Sequence, residues 1–139
     1  MFDLISKSNG YVTINKYTLK DIEDVEGSVK YEFPEEYKNF IVEIGSGYFE
    51  LNHNAELPCG SSFDNFYPLQ TVLKLTKKYQ ENQIQEHYIP FGAYGGAGLY
   101  CFSRKDNGIY YLDNSFHLES SLSDNFDSFL IQLLQKNGD

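Results

Sequence analysis

The chain has 139 residues, a formal net charge of −9 and a sequence pI near 4.7. Apolar residues make up 41% and charged residues 22%, which excludes wholesale disorder and allows a core without disulfide or metal staples. Acidity of this size disfavours nucleic acid and anionic membranes as partners and favours basic ones.

The N-terminal "MFDLISKSNG" has neither the basic nor the apolar region of a secretory signal, and no apolar run reaches bilayer length. The expectation is a soluble, cytoplasmic chain that folds as one domain over residues 1–139. Cys59 and Cys101 lack any CxxC spacing and read as reduced thiols, Cys101 as a core thiol in a strand. From Lys16 to Glu56 ten acids face four lysines, a net of −6. That half is either a solvated face or a docking surface for a basic partner.

The first predicted element is a helix in "YTLKDIEDVEG", with Thr18 as N-cap, Leu19, Ile22 and Val25 on one face, and Gly27 as the stop. A second helix follows in "FPEEYKNFIVEIGSG". Pro34 suits its first position, Glu35 and Glu36 complement the positive end of the dipole, and Tyr37, Phe40, Ile41 and Ile44 form the apolar stripe up to Gly45. "GYFELN" alternates as a half-buried strand, with Phe49 and Leu51 on one face and Tyr48, Glu50 and Asn52 on the other.

His53 to Phe66 shows no periodicity and reads as a long loop. "PLQTVLKLTKKYQ" predicts a helix with Leu69, Val72, Leu73 and Thr76 inward and Lys74, Lys77 and Lys78 on a solvated face. "HYIPFGAY", "GLYCFS" and "GIYYLDN" read as strands, the last two joined by a hairpin at Asp106-Asn107-Gly108. In the third, Ile109, Tyr111 and Asp113 alternate with Tyr110 and Leu112, and alternation alone leaves the outward set open. The chain closes on a helix in "DNFDSFLIQLLQK", with Phe126, Phe129, Leu130, Leu133 and Leu134 on one face and Ser123 or Asp124 as cap. Helices, then strands, then a closing helix predict an α+β fold with a mainly antiparallel sheet.

Sequence signals for chemistry are weak. The glycines of "YIPFGAYGGAGLYCF" lack the Lys and Ser/Thr of a phosphate loop and precede a strand rather than a helix. They read as a bend between strands, with Tyr94 at the tip. His53, His87 and His117 fall at no metal-ligand spacing, and no GxSxG elbow is present. No catalytic residue, metal or cofactor is expected. The outward set of "GYFELN" and the tyrosines and acids of "GIYYLDN" would form either a solvated sheet face or a contact surface for a basic protein.

Four segments in this order resemble the SUKH superfamily, the Smi/Knr-type domain, over roughly Thr18 to Leu134. They are "FPEEYKNFIVEIGSGYFE", "FYPLQTVLKLTKKYQE", "YIPFGAYGGAGLYCFSRKDNGIYYLDN" and the closing "FDSFL". Phe33 stands where the family pattern has Leu, and Gly45-Ser46-Gly47 replaces a plain Gly-Gly; neither change removes an apolar anchor or a turn glycine. The resemblance implies an α+β domain without catalytic residues, in which Pro34, Tyr37, Phe40, Gly45, Gly47, Phe91, Gly92 and Gly98 are structural. Many bacterial members are immunity proteins that neutralise a cognate toxin, often a nuclease, and eukaryotic members include regulatory and scaffold proteins.

The expectation that follows is a non-enzymatic immunity protein that covers the basic cleft of a nuclease-type toxin. Its contact residues would be Tyr48, Glu50, Asn52, Tyr111 and Asp113, with Tyr94 at the loop tip and Glu35 and Glu36 at the acidic margin. The alternatives are an intracellular regulatory or scaffold module of the same fold and a small-ligand sensor using the glycine bend.

Overall fold

The computed structural model describes residues 11–49, 55–56, 62–63, 65–83, 86–94, 98–113 and 119–137. The elements are β1 (Tyr11–Asn15), α1 (Leu19–Val29), α2 (Glu35–Glu43), β2 (Ser46–Phe49), β3 (Ala55–Glu56), β4 (Ser62–Phe63), β5 (Asn65–Phe66), α3 (Leu69–Asn82), β6 (Tyr88–Tyr94), β7 (Gly98–Ser103), β8 (Ile109–Asp113), β9 (Glu119–Ser123) and α4 (Phe126–Asn137). Seven strands form one antiparallel sheet in the order β1-β2-β5-β6-β7-β8-β9, and β3 pairs with β4 separately. The fold is α+β.

Local chemistry explains the helix ends, with some departures from expectation. Thr18 caps α1 in a capping box: its hydroxyl accepts the Asp21 N–H at 3.2 Å, while Asp21 accepts the Thr18 N–H at 2.9 Å. Gly27 does not stop α1, because a glycine in an exposed helical turn costs only about 1 kcal/mol. The helix ends two residues later, where Lys30 adopts a left-handed φ of 56° and its N–H returns to the Glu26 carbonyl. Leu19 is exposed rather than part of the apolar stripe. The α4 cap is Asn125, not Ser123 or Asp124: its Oδ1 accepts the Ser128 N–H at 2.8 Å.

Arg104 completes the end of α1 from the β7–β8 hairpin. Its guanidinium donates to the carbonyls of Val29 (2.9 Å), Lys30 (2.9 Å) and Glu86 (3.2 Å) and lies 5.7 Å from the centre of the Tyr31 ring. Asn107, in the left-handed conformation at φ 58°, takes a 2.8 Å hydrogen bond from the Tyr31 hydroxyl. The hairpin signal in the sequence thus also forms a tertiary anchor.

The core is aromatic. Tyr37, Phe40, Phe66, Phe91, Phe102, Phe126 and Phe129 are buried together where α2 and α4 meet the sheet. Tyr37 lies 5.1 Å from Phe102 and 5.4 Å from Phe126, both edge-on, and Phe91 stacks on Phe102 at 4.4 Å. Ile89 and Phe91, two residues apart on β6, both face this core, and a bulge between Pro90 and Gly92, with Phe91 as the extra residue, accommodates Pro90 inside a central strand.

His53–Phe66 is not an unstructured loop throughout: it contains β3, β4 and β5, and Phe66 of β5 is a core residue. The whole β5 strand is two residues long, too short for alternation to register.

The Tyr37 hydroxyl sits in this core with no hydrogen-bond partner among the described residues. Burial, with a smaller push from Tyr17, holds it far above the ordinary phenol range, so it stays neutral. Replacing Tyr37 by Phe removes an unsatisfied hydroxyl and keeps the ring. The expected result is a gain of about 1 kcal/mol in denaturant unfolding; a loss of stability would show that the hydroxyl is satisfied.

The second face of the sheet is covered too. Tyr88, Cys101 and Leu112 are buried there, with Leu99 and Tyr110 packed against them. Cys101 is free and fully buried, and burial pushes its thiol well above the usual range. It is an inert core thiol; Cys59 lies outside the described residues.

Candidate partner-binding surface

The acidic surface is built on α1 and α2. The half-buried Lys38 is engaged within the protein: its ammonium lies 3.1 Å from Glu26 and 3.6 Å from Glu32. Burial works against its charge, but the Glu26 hydrogen bond and the carboxylates of Glu26, Glu32 and Glu35 outweigh this and raise its pKa. Glu26 in turn accepts the Phe33 N–H at 2.8 Å, which fixes the α1–α2 connection. The exposed Lys20–Asp24 pair, 3.5 Å apart on one helix, contributes little. Glu23, Glu35 and Glu43 remain exposed and form no ion pair among the described residues.

Pro34 brings no side-chain cap to α2, so Glu35 and Glu36 offset the positive end of that helix electrostatically. Glu36 also faces the start of α4. Burial first, and the charge of Glu36 second, raise the pKa of Asp127. Two carboxylates there repel each other across the gap between helix N-termini.

The expected contact residues do not form one patch. Tyr48 is 43% exposed on β2, in register with Val12 of β1 and Asn65 of β5. Tyr111 is a correction: it is buried at 6%, packs 5.1 Å from Tyr100 and belongs to the main core. Ile109 and Tyr111 face the helices while Leu112 fills the opposite cluster, so β8 is apolar on both sides. Asp113 is half-buried at the end of β8, four strand spacings or roughly 19 Å from β2. Glu50 and Asn52 lie outside the described residues, as does the side chain of Tyr94.

The glycines of "YIPFGAYGGAGLYCF" divide. Gly95 and Gly96 fall outside the described residues, between the paired Tyr94 and Gly98 of an antiparallel β6–β7 hairpin. Gly98 is needed for space, not for a positive φ: an added Cβ would lie 2.6 Å from the Leu112 carbonyl oxygen and against the Tyr111 hydroxyl.

Sequence reasoning missed Ile14, which is 61% exposed on β1 beside Tyr48. The signal was present in "YVTIN", where Val12 and Ile14 alternate with Thr13 and Asn15. Among the described residues, no cluster of three or more His, Cys, Asp or Glu side chains is arranged to hold a metal, and no helix is long and apolar enough to cross a membrane.

An antiparallel sheet with helices packed through a Tyr37-centred aromatic core, together with a glycine-flanked turn from α2 into β2, defines the class of this α+β domain. The model of the SMI1/KNR4 family (SUKH-1) matches residues 16–132, and the chain belongs to that family. A search of curated proteins returned no match.

Proposed function

We propose that this protein is an immunity protein, a stoichiometric inhibitor that binds a basic, nuclease-type toxin and covers its active cleft. Membership of the SMI1/KNR4 family supports a protein-binding role in toxin systems. The observation that carries the choice of a basic partner is the exposed set Glu23, Glu35 and Glu43, which form no ion pair among the described residues, on a chain of net charge −9. Opposite charge accelerates encounter, and a toxin must be caught before it acts. Tyr48, exposed on β2, supplies contact area at low entropic cost, and Glu36 adds to the acidic margin at the start of α2. The protein acts by occlusion, without a cofactor, in the compartment where the toxin acts.

The test is a tagged pull-down from lysate of the native source, washed at rising salt, with toxicity assays of what is retained. A single basic protein, toxic when expressed alone and harmless when co-expressed with this chain, is the expected result. The double reversal Glu23→Lys and Glu43→Lys should then slow association at low salt by tenfold or more while leaving the fold intact. An association rate and salt dependence equal to the wild type would refute the acidic surface. Several weak partners lost at the first salt step, none of them toxic, would instead mark a regulatory module of the same fold.

A further inference from the structure

Three features of β1, β2 and β5 meet at one notch. The first is a bulge: Thr13 pairs with Gly47 and Asn15 with Ser46, leaving Ile14 as the extra residue, 61% exposed. Bulges of this kind re-aim a side chain and are frequent beside binding sites. The second is a cavity of about 310 Å³ lined by Ile14, Asn15, Ser46, Tyr48, Asn65 and Phe66, among others. The third is an unpaired polar atom. Ser46 is 1% exposed and lines the notch, yet its hydroxyl has no hydrogen-bond partner among the described residues. A buried hydroxyl left this way costs about 1–3 kcal/mol, which an incoming polar group would relieve.

The lining selects the ligand. No charged side chain lines the notch, so on this strongly acidic chain it does not suit a lysine or arginine. Ile14, Tyr48 and Pro68 offer apolar and aromatic walls, while Ser46, Asn15 and Asn65 offer uncharged hydrogen-bonding groups. A mainly apolar cavity with a few convergent polar groups is the usual form of a specific pocket. We propose that this notch receives an uncharged aromatic side chain with a hydrogen-bonding tip, in the simplest case a tyrosine of the protein partner, the ring between Ile14 and Tyr48 and the hydroxyl on Ser46 Oγ. The occupant rests on the partner-binding reading above, and the notch adjoins its Tyr48 contact. The acidic surface steers the partner in, and this anchor holds it.

The site is tested on the whole chain by NMR titration with N-acetyl-tyrosinamide, N-acetyl-phenylalaninamide and N-acetyl-lysinamide. The tyrosine probe should shift the Ile14 methyl and the Ser46 and Gly47 amide signals saturably, at least threefold more tightly than the phenylalanine probe, with no response to lysine. Ser46→Ala should erase the tyrosine preference, and Ile14→Arg should abolish both responses with β6–β8 signals unchanged. No saturable shift at these residues, equal binding of the lysine probe, or a preference that survives Ser46→Ala would each overturn the proposal. In the toxin complex, Ile14→Arg should speed dissociation tenfold or more with association unchanged. The charge reversals act on association instead, so the notch and the acidic surface fail separately.

Discussion

Phe102→Ala should cost about 3–5 kcal/mol of unfolding free energy, among the largest losses a single side chain in this fold can cause. Phe102 is fully buried on β7, and its ring meets Phe91 at 4.4 Å, Tyr37 at 5.1 Å, Phe126 at 6.0 Å, Phe33 at 6.2 Å and Tyr31 at 6.4 Å. Removing it opens a cavity that rigid neighbouring rings on the sheet, α2 and α4 cannot collapse to fill. Because a domain of this size has only about 5–15 kcal/mol in total, the melting point should fall by roughly 10–20 °C. Phe102→Leu, which keeps most of the volume, should lose less than half as much. A fall of less than about 4 °C for the alanine variant would show that the ring cluster is not the seat of stability.

The second large effect is expected where the backbone allows no side chain. Gly47 of β2 packs so closely on β1 that an added Cβ would press on the Val12 carbonyl oxygen and lie 2.9 Å from its carbon and 3.0 Å from Thr13 Cα. These atoms are backbone and cannot step aside, so Gly47→Ala should pry β1 from the sheet at about 3 kcal/mol, the upper range for overpacking. Hydrogen exchange should show the β1 amides losing protection while β6–β8 keep theirs. Gly27→Ala is the control. Nothing lies within 4 Å of its added Cβ, and the residue is exposed within α1, so stability should rise by about 0.5–1 kcal/mol. A Gly47→Ala variant with β1 protection intact would overturn the close-approach account.

Gly47 acts together with Gly45 in the turn that links the acidic helix to the sheet. Gly45 has φ +95°, a conformation side chains rarely adopt, and an added Cβ would meet the Asn15 carbonyl. Tyr11 and Thr13 then donate from β1 to the Gly45 and Ile44 carbonyls, each at 3.0 Å. In this chain Gly45 and Gly47 therefore let β1 lie against the end of α2. That also builds one wall of the Ile14–Tyr48 notch.

Much of the fold was legible because its signals are local. A capping threonine three residues before Asp21, the 3.6-residue stripe through Tyr37, Phe40 and Ile41, and Asp106-Asn107-Gly108 each act through neighbours in sequence. Periodicity or turn chemistry therefore reports them directly. The two-residue β5 escaped because it is too short to alternate, and the edge strand β1 was missed although "YVTIN" alternates; the pairing of both with β2 is a long-range event.

Function was less legible, for a related reason. Alternation on "GIYYLDN" assumes one wet face, and this sheet buries both: Tyr111 in the main core and Leu112 in the opposite cluster. By itself the sequence determined the fold class, the acidic character of α1 and α2 and the family likeness, because charge and helical period are properties of the chain. Only the tertiary structure decided that Lys38 is already engaged by Glu26 and Glu32, that Tyr111 is a core residue and Tyr48 a surface one, and that Ile14, Ser46 and Tyr48 meet at one notch. These facts depend on which distant segments pack together, and burial is decided by that packing rather than by residue type.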